Sequence, residues 1–144
     1  MPRYSALKLL DTNVLLYALG RPHPYRSSCL TIFEQIREGS DAYAVDVELL
    51  QEVLHVYTLR GERLRGLEAF DLLLDILPEP IPITRREMVT ARRLMAQADR
   101  LSPRDAVHAA VVLEYGFEGL VTTDRAFRDL HELRVFHPID LSSP

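Results

Sequence analysis

Apolar and polar positions along this chain alternate between two kinds of segment. Short apolar runs bounded by turn residues read as buried strands, and longer stretches with apolar residues three and four apart read as helices. The first run, LKLL at 7–10, halts on Asp11. Aspartate is a poor strand residue and a good helix N-cap, so a strand ends there and a helix, NVLLYAL, begins. Gly20 and the turn-like RPHP close that helix. Tyr25 to Glu38 gives a second helix, with Leu30, Ile32, Phe33 and Ile36 on one face and Gly39 as its C-cap. DAYAV at 41–45 is a second strand.

The pattern continues with a helix from about Asp46 to Arg60, apolar at Val47, Leu50, Val53, Leu54 and Tyr57, which Gly61 ends. Glu62 to Leu77 is another, with Leu64, Leu67, Phe70, Leu73, Leu74 and Leu77 at helical spacing. PEPIPITR carries its prolines around Ile81 and Ile83, which predicts a short irregular edge strand. Thr84 and Glu87 match a capping box and open a helix through about Ala98. Ser102 caps the next, with Pro103 in its first turn and Gly116 at its end. GLVTTD at 119–124 repeats the opening device of an apolar strand that stops on an acid. AFRDL is one helical turn, and a last strand lies near 133–137. Strands alternating with helices predict an α/β fold, a three-layer α/β/α sandwich with a mainly parallel sheet. With no linker or low-complexity stretch, residues 1–144 read as a single domain.

Composition narrows this picture. At 47% hydrophobic the chain has ample material for a core. No apolar run approaches the ~20 residues that span a bilayer, and the start lacks a secretory signal pattern, so a cytoplasmic protein with no membrane association is expected. The lone Cys29 offers neither a disulfide nor a metal cluster. The net charge of −4 runs against the basic balance usual in nucleic-acid binders. Lys8 is the only lysine, so nearly all the basic charge is arginine, the better fork for phosphate.

Four acids stand where chemistry could be built: Asp11, Glu52, Asp105 and Asp124. Asp11 and Asp124 each end a predicted strand, and neighbouring parallel strands bring such ends to one edge of the sheet. Asp105 lies in the first turn of the helix that feeds the Asp124 strand. Glu52 lies within the helix after strand two, where Glu48, one turn earlier, shares its side. Taken singly, each has an ordinary role as a cap, a first-turn acid or a solvated helix face. Taken together, unpaired carboxylates would repel and hold protons at neutral pH. A hard divalent cation resolves this, and oxygen ligands without cysteine favour Mg²⁺, with Mn²⁺ as the alternative. The implied chemistry is metal-assisted phosphodiester hydrolysis.

Other readings meet specific obstacles. Glu52-x-x-His55 and Asp105-x-x-His108 echo the di-iron bundle pattern, but that architecture needs four long helices and further glutamates. His55 and His108 are expected to border the site or the core; His23, His131 and His137 fall in turns. There is no GxxxxGK, no GxGxxG and no nucleophile-elbow serine. A phosphoaspartate receiver would need a lysine late in the chain, and a dehalogenase-type phosphatase an acid where Asn13 stands.

DTNVLLYAL, ELLQEVLHVY, SPRDAVHAA and GLVTTDRAFRDL, in this order and spacing, resemble the PIN domain, and within it the VapC toxins of VapBC toxin–antitoxin pairs. The resemblance runs from Leu9 to about Phe136. It implies a magnesium-dependent ribonuclease in which Asp11, Glu52, Asp105 and Asp124 line a pocket at one sheet edge. It selects Glu52 over Glu48 and makes Asp11 and Asp105 the firmest metal ligands, with Asp124 completing the set. It further implies that Thr12 or Asn13 steadies Asp11 or a water, and that Thr122 or Thr123 does so for Asp124. It implies an RNA substrate, a homodimer and a cognate VapB-like antitoxin whose tail occupies the groove. Since net charge opposes RNA binding, the arginines are expected to gather near the pocket, with Arg85, Arg86, Arg92, Arg93, Arg104 and Arg125 as candidates. Two alternatives stay open: a non-catalytic PIN-like module that binds RNA or protein, and a nuclease acting without an antitoxin. A flap-type DNA nuclease fits less well, as it needs extra helical arches.

Overall fold

The computed structural model of the protein describes residues 3–141. Its sheet is built from β1 (Lys8–Leu10), β2 (Tyr43–Ala44), β3 (Gly119–Val121) and β4 (Val135–Phe136), all parallel, in the order β2-β1-β3-β4. The helices are α1 (Thr12–Leu19), α2 (Arg26–Arg37), α3 (Val47–Leu59), α4 (Arg63–Ile76), α5 (Arg85–Gln97), α6 (Pro103–Tyr115) and α7 (Pro138–Leu141), with a 3-10 turn at Arg125–Asp129. No helix among the described residues is long and apolar enough to cross a membrane.

Successive strand residues point to opposite faces, and the two central strands use this to hold two cores apart. Leu9 lies opposite Leu120 in the register, and both enter the core formed with α5 and α6. Leu10 lies opposite Val121, and both enter the core formed with α1, α2, α3 and α4. All four are fully buried, worth about 1.5–3 kcal/mol for each such side chain. The result is the expected α/β/α sandwich.

α6 is the element most enclosed. Residues Ala106 to Val112 are all buried, as suits a helix apolar on every side, and His108 is the polar exception within that run. Ser102 Oγ accepts from the Asp105 amide at 3.2 Å and fixes the start of the helix. Gly116, at φ 75°, ends it in the left-handed conformation that favours glycine. The capping box at the start of α5 also forms: the Thr84 amide donates to Glu87 Oε1 at 2.8 Å.

Two expectations need correction. The proline-rich stretch is no edge strand: only Ile81 pairs, its amide donating to Val45 O and its carbonyl accepting from Val47 N. Prolines at 78, 80 and 82 remove the donors that would extend the ladder. The apolar row of α4 is also not uniformly inward, since Leu64 and Leu67 are 68% and 45% exposed while Gly66, Ala69 and Leu73 are buried. Gly66 decides this. Its backbone lies against Tyr57 of α3 so closely that a Cβ would sit 2.8 Å from Tyr57 Cβ, which turns the flanking leucines outward. α7, after His137, is a helical turn the apolar pattern did not reveal.

The strand order also sets where a ligand fits. The chain leaves β1 toward β2 on one side and leaves β3 toward β4 on the other. The crevice between the carboxyl ends of β1 and β3 is therefore the switch point at which open α/β sheets bind ligands. Asp11 follows β1, and Thr122 to Asp124 follow β3.

Candidate active site

Asp11 is held by the backbone before its side chain does anything. Its amide donates to Val121 O at 2.9 Å, so the β1–β3 ladder runs one residue past the strand. The carboxylate then starts α1: Oδ1 accepts from the Thr12 amide at 2.7 Å. Oδ2 accepts from the Thr122 hydroxyl at 2.8 Å and from Asn13 Nδ2 at 3.1 Å. A carboxylate offers about four lone-pair sites, so three donors orient this one and leave capacity for a cation. Asp11 is 3% exposed. Burial raises its pKa, against the opposing influence of His108 and the Thr122 bond.

Thr122, Asn13 and Thr123 knit the two strand ends together. Thr122 Oγ accepts from Asn13 Nδ2 at 3.1 Å and from the Asp124 amide at 3.0 Å. Asn13 Oδ1 accepts from the Thr123 amide at 3.3 Å. Asp124 is exposed and caps the 3-10 turn by accepting from Ala126 N at 2.9 Å. Asp105 is half-buried at the start of α6. Burial, then the neighbouring charges of Asp11 and Asp124, push its carboxyl up to about 7. Asp105 therefore feels both strand-end acids.

Glu52 reaches the same place from α3 and is 7% exposed. Burial alone would raise its pKa, but its hydrogen bond to His108, the His108 charge, the Thr12 hydroxyl and Arg104 together lower it. Glu48 stands beside it, half-buried and raised by burial and then by the Glu52 charge. Both glutamates thus face the site, and Glu52 is the one with a bonded partner.

That partner was placed too loosely by sequence. His108 is fully buried, with Nδ1 2.7 Å from Asp46 Oδ2 and Nε2 3.0 Å from Glu52 Oε1. Nε2 is also 3.6 Å from Asp11 Oδ1. A neutral imidazole has one N–H, whereas the imidazolium donates to both carboxylates. Burial disfavours that charge, but Asp46, Glu52 and Asp11 outweigh it and hold the pKa well above the ordinary value. Asp46, also fully buried, went unmentioned as a site residue. Its Oδ1 caps α3 through the Leu49 amide at 3.0 Å while Oδ2 faces His108. The available signal was the acid just before the apolar helix VELLQEV.

The arginines divide differently from expectation. Arg104 acts on Glu48 and Glu52, and Arg125 lines a pocket with Thr122, Thr123 and Asp124. Arg86 instead pairs with Glu87 and Glu114, the latter near the opposite end of α6 from Asp105, and Arg93 pairs with Glu132. Arg85 and Arg92 are exposed on α5. Arg21, Arg60 and Arg65, not foreseen, line a groove that reaches Asn13.

Whether this set suits a divalent cation can be judged from its donors. Among the described residues no three His, Cys, Asp or Glu side chains are arranged to hold one ion. Magnesium asks for less, taking one or two protein carboxylates and keeping several waters. Asp11 and Asp105 offer oxygen only, and the raised Asp105 carboxyl marks crowded negative charge that a cation would relieve. The residues fit a hard cation.

Comparison with known proteins identifies the family. The PIN domain family model matches residues 8–133. The chain is 32% identical over 119 residues to Ribonuclease VapC13 of Mycobacterium tuberculosis, covering 83% of this chain and 91% of that protein. It is 33% identical over 132 residues to Ribonuclease VapC7 of the same organism, covering 87% of each. Among solved structures, VapBC2 from Rickettsia felis bound to a promoter DNA fragment matches with a TM-score of 0.71 at 17% identity, over 91% of this chain and 98% of that one. FitAcB from Neisseria gonorrhoeae gives 0.71 at 16%, over 92% and 99%. The strand-end acids, the switch-point crevice and these likenesses lead to one conclusion: this chain belongs to the PIN-domain family, among its VapC ribonucleases.

Proposed function

We propose that the protein is a magnesium-dependent endoribonuclease and the toxin of a type II toxin–antitoxin pair, acting at the β1–β3 crevice. The observation that carries this reading is the juxtaposition of acids at the strand ends. Asp11 is held by Thr122 and Asn13, and Asp105 is close enough to Asp11 and Asp124 that burial and their charges raise its carboxyl to about 7. Carboxylates gathered at that cost beside the exposed Asp124 are poised for a cation. Asp11 and Asp105 would hold the ion and Asp124 would complete its surroundings. When bound, the ion supplies Lewis-acid polarisation of a phosphoryl oxygen and acidifies water.

The chain's own residues supply the rest. Thr122 and Asn13 fix the Asp11 carboxylate in one orientation, the supporting role that outer partners play at metal sites. Glu52, kept ionised by the His108 hydrogen bond, is suited to orient an attacking water and accept its proton. His108 and Asp46 act on Glu52 rather than on substrate. Arg104 and Arg125 flank the acids and offer guanidinium groups to phosphate.

The partner reading follows from the same pocket. The structural neighbours include VapBC-1 from nontypeable Haemophilus influenzae and a toxin–antitoxin complex from Klebsiella pneumoniae. An acidic pocket attracts a cationic side chain, so a VapB-like antitoxin with an arginine in its tail would inhibit by occupying it. A homodimer would cover exposed apolar side chains, such as Leu64 and Leu67 of α4 or Met88 and Val89 of α5.

The test is RNA cleavage by the purified chain with Mg²⁺, with Mn²⁺ and with EDTA. Activity should require the cation and be lost in Asp11→Asn and Asp105→Asn. Cleavage that persists in EDTA or in those variants would defeat the reading.

A further inference from the structure

Beside the acids runs a line of aromatic rings that the proposed chemistry does not use. Tyr17, His23, Tyr25 and His137 touch in series. The Tyr17 and His23 centroids are 4.5 Å apart, His23 and Tyr25 4.9 Å, and Tyr25 and His137 4.7 Å. Tyr17 also meets Tyr25 edge-on at 5.5 Å. His23 is exposed yet fixed: prolines 22 and 24 stiffen its loop, and its Nδ1 accepts from the Tyr25 amide at 3.1 Å. A ring held at the surface in one orientation has little entropy left to lose when a ligand stacks on it.

The line joins two recesses on either side of the strand-end residues, and the first carries net positive charge. One is a groove of about 830 Å³ that includes Asn13, Tyr17, Arg21, His23, Arg60 and Arg65. The other, about 230 Å³, contains Tyr25, Thr122 and His137, with Arg125 and Arg128 set against Asp124 and Asp140. Asn13 bonds Asp11, and Thr122 bonds both of them, so the acids lie between the recesses. Arg65 is anchored on Glu62 and Leu19 O. Arg21 and Arg60 have no carboxylate partner among the described residues, in a chain whose net charge is −4. Local positive charge set against the bulk balance, with aromatic faces alongside, is the arrangement that binds single-stranded nucleic acid: cations follow the backbone and bases stack.

We infer that Tyr17, His23, Tyr25 and His137, with Arg21 and Arg60, form a track that binds single-stranded RNA across the acids, phosphates on the arginine side and bases on the rings. This rests on the ribonuclease reading for the identity of the strand. It predicts selection for unpaired RNA, because a base within a duplex cannot turn its face to the His23 ring.

The experiment measures fluorescence anisotropy of a labelled single-stranded RNA oligonucleotide with the Asp105→Asn chain in EDTA, where cutting cannot interfere. Arg21→Gln with Arg60→Gln should weaken binding about tenfold and flatten the salt dependence of log K by about 1.4, from two lost phosphate contacts. His23→Ala should weaken it several-fold, and His23→Phe, which keeps a stacking face, should restore it. The same sequence in a duplex should bind about tenfold more weakly. The track is overturned if the arginine pair and His23→Ala bind as the parent does, as they would if this face met a protein, or if the duplex binds equally well. Cleavage by the unmutated chain separates the two readings. Mg²⁺-dependent cutting with track-independent binding removes the track alone. Track-dependent binding without cutting in any metal removes the nuclease alone.

Discussion

Replacing His108 with leucine isolates the most unusual electrostatic feature of the molecule. The imidazolium lies between Asp46 and Glu52 at 2.7 and 3.0 Å, with His108 and Asp46 fully buried. Leucine is of comparable bulk, so the loss is mainly of charge and of two donors. Two buried carboxylates then lack their counter-ion, and removing one partner of such a group costs about 3–5 kcal/mol. For a domain of this size that is a fall in Tm on the order of 10 °C. Urea denaturation at pH 7 measures it directly. Asp46→Asn, which keeps a capping oxygen for Leu49, completes a double-mutant cycle, and the double variant should recover about 0.5–3 kcal/mol relative to the sum of the singles.

The pH dependence gives a second handle on the same variant. His108 has a folded-state pKa above its ordinary 6.5, so the stability it contributes is complete below 6.5 and is lost as pH rises through the folded value. Glu52 has a folded-state pKa below its ordinary 4.5, so its contribution is present above 4.5 and is lost as pH falls through the folded value. The wild-type triad is therefore strongest between these limits. In His108→Leu the orphaned Glu52 can take up a proton instead, so the deficit should shrink from pH 7 to pH 5. A cost below about 1 kcal/mol at pH 7, or a deficit that does not shrink on acidification, would refute the buried-cation argument.

Three further outcomes are expected. Asp105 binds its proton up to about pH 7 in the folded chain but only to about 3.8 when unfolded, so metal-free stability should fall as pH rises from 4 through 7. The Tm gain on adding Mg²⁺ should correspondingly be larger at pH 8 than at pH 6, and thermal scans in EDTA and in Mg²⁺ that show neither trend would exclude this picture. Thr122→Val removes the hydroxyl that donates to Asp11 and accepts from Asn13 and the Asp124 amide. RNA cleavage should drop about 10–100-fold, as for other partners behind metal ligands, while Thr122→Ser stays near wild type; equal rates for all three would discount the hydroxyl. Gly66→Ala puts a methyl 2.8 Å from Tyr57 Cβ and should cost about 1–3 kcal/mol by overpacking, and an unchanged denaturation midpoint would show that the α3–α4 hairpin can shift to admit it.

What could be read in the sequence was what depends on near neighbours. Asp11 and Asp124 announce themselves by ending apolar runs, and Ser102-Pro103 and Thr84–Glu87 carry cap chemistry within one turn. Such signals located the strands, most helix ends and the sheet-edge acids. Two faults in the reading of elements arose where a second element decides. The leucines of α4 suit a buried stripe until Gly66 meets Tyr57, and Ile81 suits a strand until its prolines limit it to one pair. The buried cation was illegible for the same reason. His108 lies 62 residues from Asp46 and 56 from Glu52 in the chain, and only the packing of α3 against α6 gives the ring two carboxylates. Arg21, Arg60 and Arg65 come from separate stretches and become one groove when α1 and the α3–α4 turn meet.

The site therefore contains two opposite electrostatic environments. On the α3 side a resident cation, His108, neutralises acids and keeps Glu52 ionised. On the strand-end side Asp105 forms no ion pair among the described residues, and burial with the charges of Asp11 and Asp124 raises its carboxyl to about 7. Groups whose environments drive their pKa values apart take different roles in the same chemistry. On the proposed nuclease reading, the pre-neutralised side would handle a water and its proton without competing for a metal, since Glu52 already has its counter-charge. The un-neutralised side is where an external cation gains most on arrival, and where it must displace a proton to bind. That division explains how four acids can share one crevice without all of them having to be ligands.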